Sequence, residues 1–180
     1  MKTLDATALF DTFTATAFRL ETRQVYVVED EAAALRASLE GQPLPERTVR
    51  TDPWLTRVAR TTLNEGKRWS RIHVVDEPLS PYLRYELARY VENQAAGETI
   101  RIAPRSSDPR LAELDEDFWL FDSDTTHPQA IAMRYAPEGR YLGRELVTDP
   151  DQLQRYQRIY EMAWQLAVPL NAYAPITARG

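Results

Sequence analysis

Apolar positions near helical spacing open the chain. Leu4, Ala8, Leu9, Phe13 and Ala17 fall close to one face, and Phe18 and Leu20 then lead into the β-type patch Val25-Tyr26-Val27-Val28. The pattern predicts a helix followed by a short extended piece. Glu29 to Leu39 is rich in Ala, Leu and Glu, which lose little freedom in a helix, and Gly41 stops it ahead of Pro43 and Pro45, the predicted hinge loop. The next helix takes Thr51 or Asp52 as N-cap and Pro53 at its first position. It carries Trp54, Val58 and Leu63 inward and ends at Gly66.

Period-two alternation then sets in. In Trp69-Ser70-Arg71-Ile72-His73-Val74-Val75, a strand would place Trp69, Arg71, His73 and Val75 on one face and Ser70, Ile72 and Val74 on the other. Ser80 and Pro81 start a long helix with an apolar stripe of Leu83, Leu87, Tyr90 and Val91, closed by Gly97, and Thr99 to Ala103 forms the following strand. Strand, helix and strand at this spacing predict a right-handed parallel crossover. Phe118 to Phe121, Ala130 to Tyr135 and Tyr141-Leu142 read as three more strands joined by turns. Asp149-Pro150 opens the last helix, whose Leu153, Tyr156, Tyr160, Ala163, Trp164 and Ala167 trace one apolar face.

These elements predict a single α/β domain with a mixed, mostly parallel sheet flanked by helices. Residues 1–50 form an N-terminal helical and extended segment packed on the same domain, 51–170 the α/β core and 171–180 a flexible tail. At 180 residues, 43% of them hydrophobic, the chain can bury a sizeable core. A formal net charge of −5, from 22 basic and 27 acidic residues, disfavours direct nucleic-acid binding. Absence of cysteine removes disulfides, thiolate metal sites and cysteine nucleophiles. Asp5 and Asp11 interrupt the start, unlike a secretory signal, and no stretch nears the roughly 20 apolar residues of a membrane span. A cytoplasmic location without membrane association is expected.

Two histidines, His73 and His127, lack metal-ligand spacing, and no phosphate loop, dinucleotide fingerprint, nucleophile elbow or His-Glu-x-x-His motif occurs, so no cofactor is expected. His73 shares a strand face with Arg71; it either meets a ligand there or is a structural histidine hydrogen-bonded beside the sheet. Tyr82, Glu86, Arg89 and Asn93 make a polar flank on the long helix, either a ligand-facing row beside Arg101 or a solvated surface. Arg84 lies outside that row and is placed to pair with Asp117 or Asp122. Together Arg71, His73, Tyr82, Arg84, Glu86 and Arg101 are the candidate ligand-binding residues, suited to a small anionic ligand through arginine forks. The acidic residues Asp115, Glu116, Asp117 and Asp122 are an alternative centre for acid–base or Mg²⁺ chemistry, or simply solvated.

The blocks Trp54-Leu55, Gly66-Lys67, Pro78-Leu79-Ser80, Tyr82-Leu83-Arg84, Gly97-Glu98 and Asp117-Phe118-Trp119-Leu120-Phe121-Asp122 resemble an uncharacterised actinobacterial family encoded near WhiJ-type helix-turn-helix regulators. The element order also looks like one phospholipase-D-like repeat. Aligning that superfamily's His-x-Lys-x-x-x-x-Asp motif on Asp122 puts Asp115 and Asp117 where its His and Lys should stand, so the resemblance implies the fold without the chemistry. It implies a regulatory accessory protein that binds a small ligand or a helix-turn-helix partner. The alternative is a small enzyme using Arg71, His73 and Arg84 in a polar cleft.

Overall fold

The computed structural model describes residues 6–173. A 3₁₀ turn at Ala6–Ala8 leads into α1 (Leu9–Thr12), β1 (Thr16–Glu21), α2 (Ala32–Leu39), α3 (Pro53–Glu65), β2 (Arg68–Val75), α4 (Pro81–Ala96) and β3 (Glu98–Pro104). Then follow α5 (Pro109–Ala112), β4 (Asp117–Phe121), β5 (Gln129–Tyr135), β6 (Tyr141–Leu146), α6 (Pro150–Leu166) and the two-residue β7 (Val168–Pro169). One sheet takes every strand, in the order β6-β5-β4-β1-β2-β3-β7.

The sheet is mixed but mostly antiparallel, which corrects the mostly parallel expectation. Helical crossovers join β1 to β2 and β2 to β3, and these two pairs are parallel. The remaining pairs, β1·β4, β4·β5, β5·β6 and β3·β7, are antiparallel. The physical reason lies in the connections: β4, β5 and β6 follow one another through short turns, which can only reverse the chain, whereas a parallel return needs a long crossover.

The long helices start and stop where their side chains dictate. Asp52, Ser80 and Asp149 accept the N–H of Leu55, Leu83 and Asp151, each with Pro at the next position, and Gly66 and Gly97 close α3 and α4 in the left-handed region. The opening segment departs from expectation. Its helical part is short, Ala17 belongs to β1, and Val25 to Val28 contribute one isolated bridge, Val27 with Arg140, instead of a strand. β1 is therefore the middle strand of the sheet, and residues 1–50 supply its centre. Leu63, 82% exposed, and Val91, 53% exposed, lie outside the core predicted for them. Of the tail, Leu170 to Ala172 form a 3₁₀ turn and Tyr173 is buried with its hydroxyl donating to Glu77, while 174–180 lie outside the described residues, as do Leu4 and Asp5 of the opening pattern.

The two faces of the sheet are packed differently. Beneath α6, Phe18, Leu20, Ile72, Val74, Phe118 and Leu120 form one continuous apolar layer, with Tyr156 stacked on Phe118 at 3.9 Å. The opposite face carries two separate apolar clusters. One gathers Phe13, Ala17, Trp69 and Phe121 under α1 and α3; the other gathers Val75, Ile100 and Ile102 under α4. Between them the strands present charged side chains, which is the feature that locates the site.

Candidate functional site

Alternation along four adjacent strands puts Arg19 and Glu21 of β1, Arg71 and His73 of β2, Glu98 of β3 and Asp117 of β4 on this face, all of them buried. Charges taken out of water are tolerated when paired and hydrogen-bonded. Arg71 is held between Glu21, at 2.7 Å, and Glu98, at 2.8 Å. Arg19 spans Glu21 at 3.5 Å and Asp117 at 3.1 Å, and its guanidinium lies over the Trp119 ring. Asp117 also accepts from the backbone N–H and hydroxyl of Thr22 and from the Tyr26 hydroxyl. Asn93 of α4 donates to Glu98 at 2.8 Å and accepts from Arg47.

Burial opposes ionisation of Glu21, yet Arg71, Arg19 and the Tyr90 bond outweigh it and hold the carboxyl well below its usual range. Burial likewise works against the Arg71 charge, and Glu21 and Glu98 more than offset it. For His73 the balance falls the other way: burial lowers its pKa despite the attraction of Glu21.

His73 belongs to a chain of short contacts. Its Nε2 donates to the Arg23 carbonyl at 2.8 Å, its Nδ1 meets the Tyr90 hydroxyl at 2.8 Å, and that hydroxyl lies 2.7 Å from Glu21. With a neutral imidazole the single Tyr90 proton faces two acceptors, Nδ1 and a carboxylate. A proton added at Nδ1 would give every contact its hydrogen. The network can thus hold one extra proton, which burial disfavours and Glu21 favours.

Above this floor lies a cleft of about 580 Å³, walled by Trp54, Tyr85 and Arg89 on the helical side and by Trp119, Met133 and Tyr135 on the strand side. It shares Glu21, Glu31, Arg71 and Glu86 with a neighbouring cavity of about 450 Å³ that opens past Tyr26, Tyr82 and Tyr141. Tyr26 is brought to the site by a close approach. Gly139 (φ 92°) passes Tyr26 and its neighbour so tightly that a Cβ would stand 2.4 Å from the Val25 carbonyl oxygen, and Val27 donates to the Gly139 carbonyl. A third cavity of about 590 Å³ lies at the amino ends of the parallel strands, lined by Thr16, Ser70, Tyr160 and Trp164. Its cations Lys67 and Arg68 are tied to Glu65 and Asp124, and none of the central charged network reaches it.

Four of the sequence candidates, Arg71, His73, Tyr82 and Glu86, meet at the first two cavities or in the network beneath them. Arg84 does not: it is on the exposed side of α4, donating to the Leu79 carbonyl, and pairs with neither Asp117 nor Asp122. Arg101 lies on the α6 face, over Trp164 and bonded to the Ala167 carbonyl, because its strand parity is opposite to that of Glu98. The acidic group is dispersed. Asp115 is exposed, Glu116 pairs with Arg155, Asp117 enters the network, and Asp122 accepts the backbone N–H groups of Thr14, Ala15 and Thr16. His127 is exposed. Arg19, Glu21, Glu31, Arg47, Glu98 and Trp119 escaped sequence reasoning as site residues. The available signal was the inward parity of Arg19 and Glu21 with Ala17.

Fold and site together define a single-sheet α/β protein with a charged cleft on one sheet face. The chain belongs to the family described as Domain of unknown function (DUF6879), whose profile matches residues 5–175. No curated protein and no solved structure matches it. Among the described residues no helix is long and apolar enough to cross a membrane, and no group of three or more His, Asp or Glu is arranged to hold a metal ion.

Proposed function

We propose that this chain is a binding protein in which a small ligand enters the charged cleft and a protein partner reads its occupancy. One observation carries the reading. Arg19 Nη1, Arg89 Nε, Trp54 Nε1 and Glu31 Oε2 are buried without a hydrogen-bond partner, and all four side chains line the same cleft. Buried polar atoms are nearly always satisfied in folded proteins, and four of the five exceptions among the described residues fall in this one wall. Small side-chain shifts on ligand entry would open these atoms to matching donors and acceptors.

Binding is favoured over turnover because His73 has both ring nitrogens engaged and Arg71 is locked between two carboxylates. An enzyme using Arg71, His73 and Arg84 would need all three on one surface, and Arg84 is elsewhere. A helix-turn-helix regulator is the proposed partner class, on the resemblance of the sequence to a family encoded near such regulators, which enters as analogy. Exposed Val27, Val28 and Tyr141 at the rim, with Leu142 beside them, offer such a partner an apolar edge next to the ligand. The complex would act in the cytoplasm.

Thermal unfolding with a panel of cationic, neutral and anionic metabolites tests the ligand site. A compound at about 100 times its Kd should stabilise the protein by about 2.7 kcal/mol. The same compound should not stabilise Ala34→Trp, which fills the cleft from α2. Equal stabilisation of both proteins, or none by any compound, would overturn the reading.

A further inference from the structure

We infer that the ligand of this cleft carries an organic cation, an ammonium or guanidinium group that pairs with the carboxyls of Glu31 and Glu86. The inference rests on the reading of this cleft as a ligand site and names the chemistry that site would accept.

The charges on its walls decide the sign. Each guanidinium there is already committed: Arg19 to Glu21 and Asp117, Arg71 to Glu21 and Glu98, Arg47 to Glu92 and Asp52, and Arg89 to Glu92. Glu31 and Glu86 line both cavities, and neither makes an ion pair with a described residue. An anion would meet occupied arginines and the Glu31 carboxyl, whereas a cation would meet two carboxyls that no cation of the described residues pairs with. The same ligand needs an acceptor. Arg19 and Arg89, 3% and 5% exposed, turn their partnerless Nη1 and Nε toward no acceptor in the protein, and both line the cleft. Among the described residues no group of three or more His, Asp or Glu is arranged to hold a metal ion, so the pair of carboxyls is assigned to an organic cation.

Glu86 faces Glu21 of β1, Arg71 of β2, Glu31 ahead of α2, Tyr135 of β5 and Tyr82 of its own helix. Burial, then Glu21 and Glu31, push its carboxyl up to about 8 against the pull of Arg71 and the Tyr82 bond, and burial raises Glu31 as well. In the empty cleft at neutral pH Glu86 therefore holds a proton. A seated cation favours the carboxylate, so binding expels that proton and tightens as pH rises toward 8.

Three probes of one shape isolate the charge: tyramine (cation), 4-hydroxyphenylethanol (neutral) and 4-hydroxyphenylacetate (anion), each with a phenol oxygen for the arginine side. Ligands of this size reach about millimolar affinity, so NMR titration to about 10 mM is the measurement. Tyramine is expected to bind at least tenfold more tightly than the other two, shifting the indole N–H of Trp54 and the amides around Glu31 and Glu86. Glu31→Gln/Glu86→Gln should weaken it at least tenfold. Calorimetry of tyramine in phosphate and in Tris, which differ in ionisation heat, should reveal proton release by the wild type that Glu86→Gln reduces. If the neutral or anionic probe binds as well as tyramine and Ala34→Trp abolishes this, the cation assignment falls and the ligand site stands. Full tyramine affinity in the double variant also overturns the assignment. If no probe shifts a cleft residue, the cation assignment falls, and the ligand site is judged by the thermal-unfolding panel.

Discussion

At the scale of single residues the buried charges are matched so closely that removing one exposes the rest. Arg71→Met is expected to cost roughly 3–5 kcal/mol, because Glu21 and Glu98 are left buried without their shared cation. Chemical denaturation measures this, and adding Glu21→Gln and Glu98→Gln to the Arg71→Met chain should recover much of the loss. Recovery would identify the unpaired carboxylates, rather than lost packing, as the cause. Stability should also depend on pH from both sides. Glu86, raised from 4.5 to about 8, contributes stability that is fully present below pH 4.5 and lost as pH rises through 8. His73 and Glu21 are lowered from 6.5 and 4.5, so their contributions are present above those values and lost as pH falls below them. Melting temperatures from pH 4 to 9 should thus pass through a maximum, and Glu86→Gln should flatten the alkaline limb while leaving the acid limb in place.

At the scale of elements, what the sequence made legible is what the chain specifies locally. Asp52-Pro53, Ser80-Pro81 and Asp149-Pro150 place three helix starts within one residue, because a cap is a contact between side chain and backbone two or three positions away. The face shared by Trp69, Arg71 and His73 followed from strand parity alone. β1 was hidden for the opposite reason: its inward residues Arg19 and Glu21 are charged, so the alternation that marks a half-buried strand is disguised, and their partners Asp117 and Arg71 lie 98 and 50 positions away. Arg84 and Arg101 were drawn into the site by nearness in sequence, although helix phase and strand parity turn them elsewhere. The position of β1 has a direct consequence. A fragment of residues 51–170 lacks the strand that pairs with both β2 and β4, leaving two half-sheets with open inner edges. It should fail to fold, seen as collapsed amide dispersion in NMR, whereas adding back residues 1–50 in the same chain restores the sheet.

At the scale of the whole molecule, the distribution of charge argues about partners. The chain carries 22 basic against 27 acidic residues, and many of its arginines are already held by carboxylates. A duplex would have to displace those pairs to gain phosphate contacts, and the cavity mouth around Glu29 and Glu31 would repel it. Any action at DNA would then run through a partner that supplies the basic surface, while this chain supplies the ligand cleft and the apolar rim beside it. The chain alone should show no sequence-specific duplex binding at about physiological salt, even well above the roughly 10⁻⁸ M typical of specific complexes. Mobility-shift titration against DNA fragments from the host genome checks this. A discrete complex that persists against excess competitor duplex would place a nucleic-acid surface on the chain itself and remove the reason for assigning DNA contact to a partner.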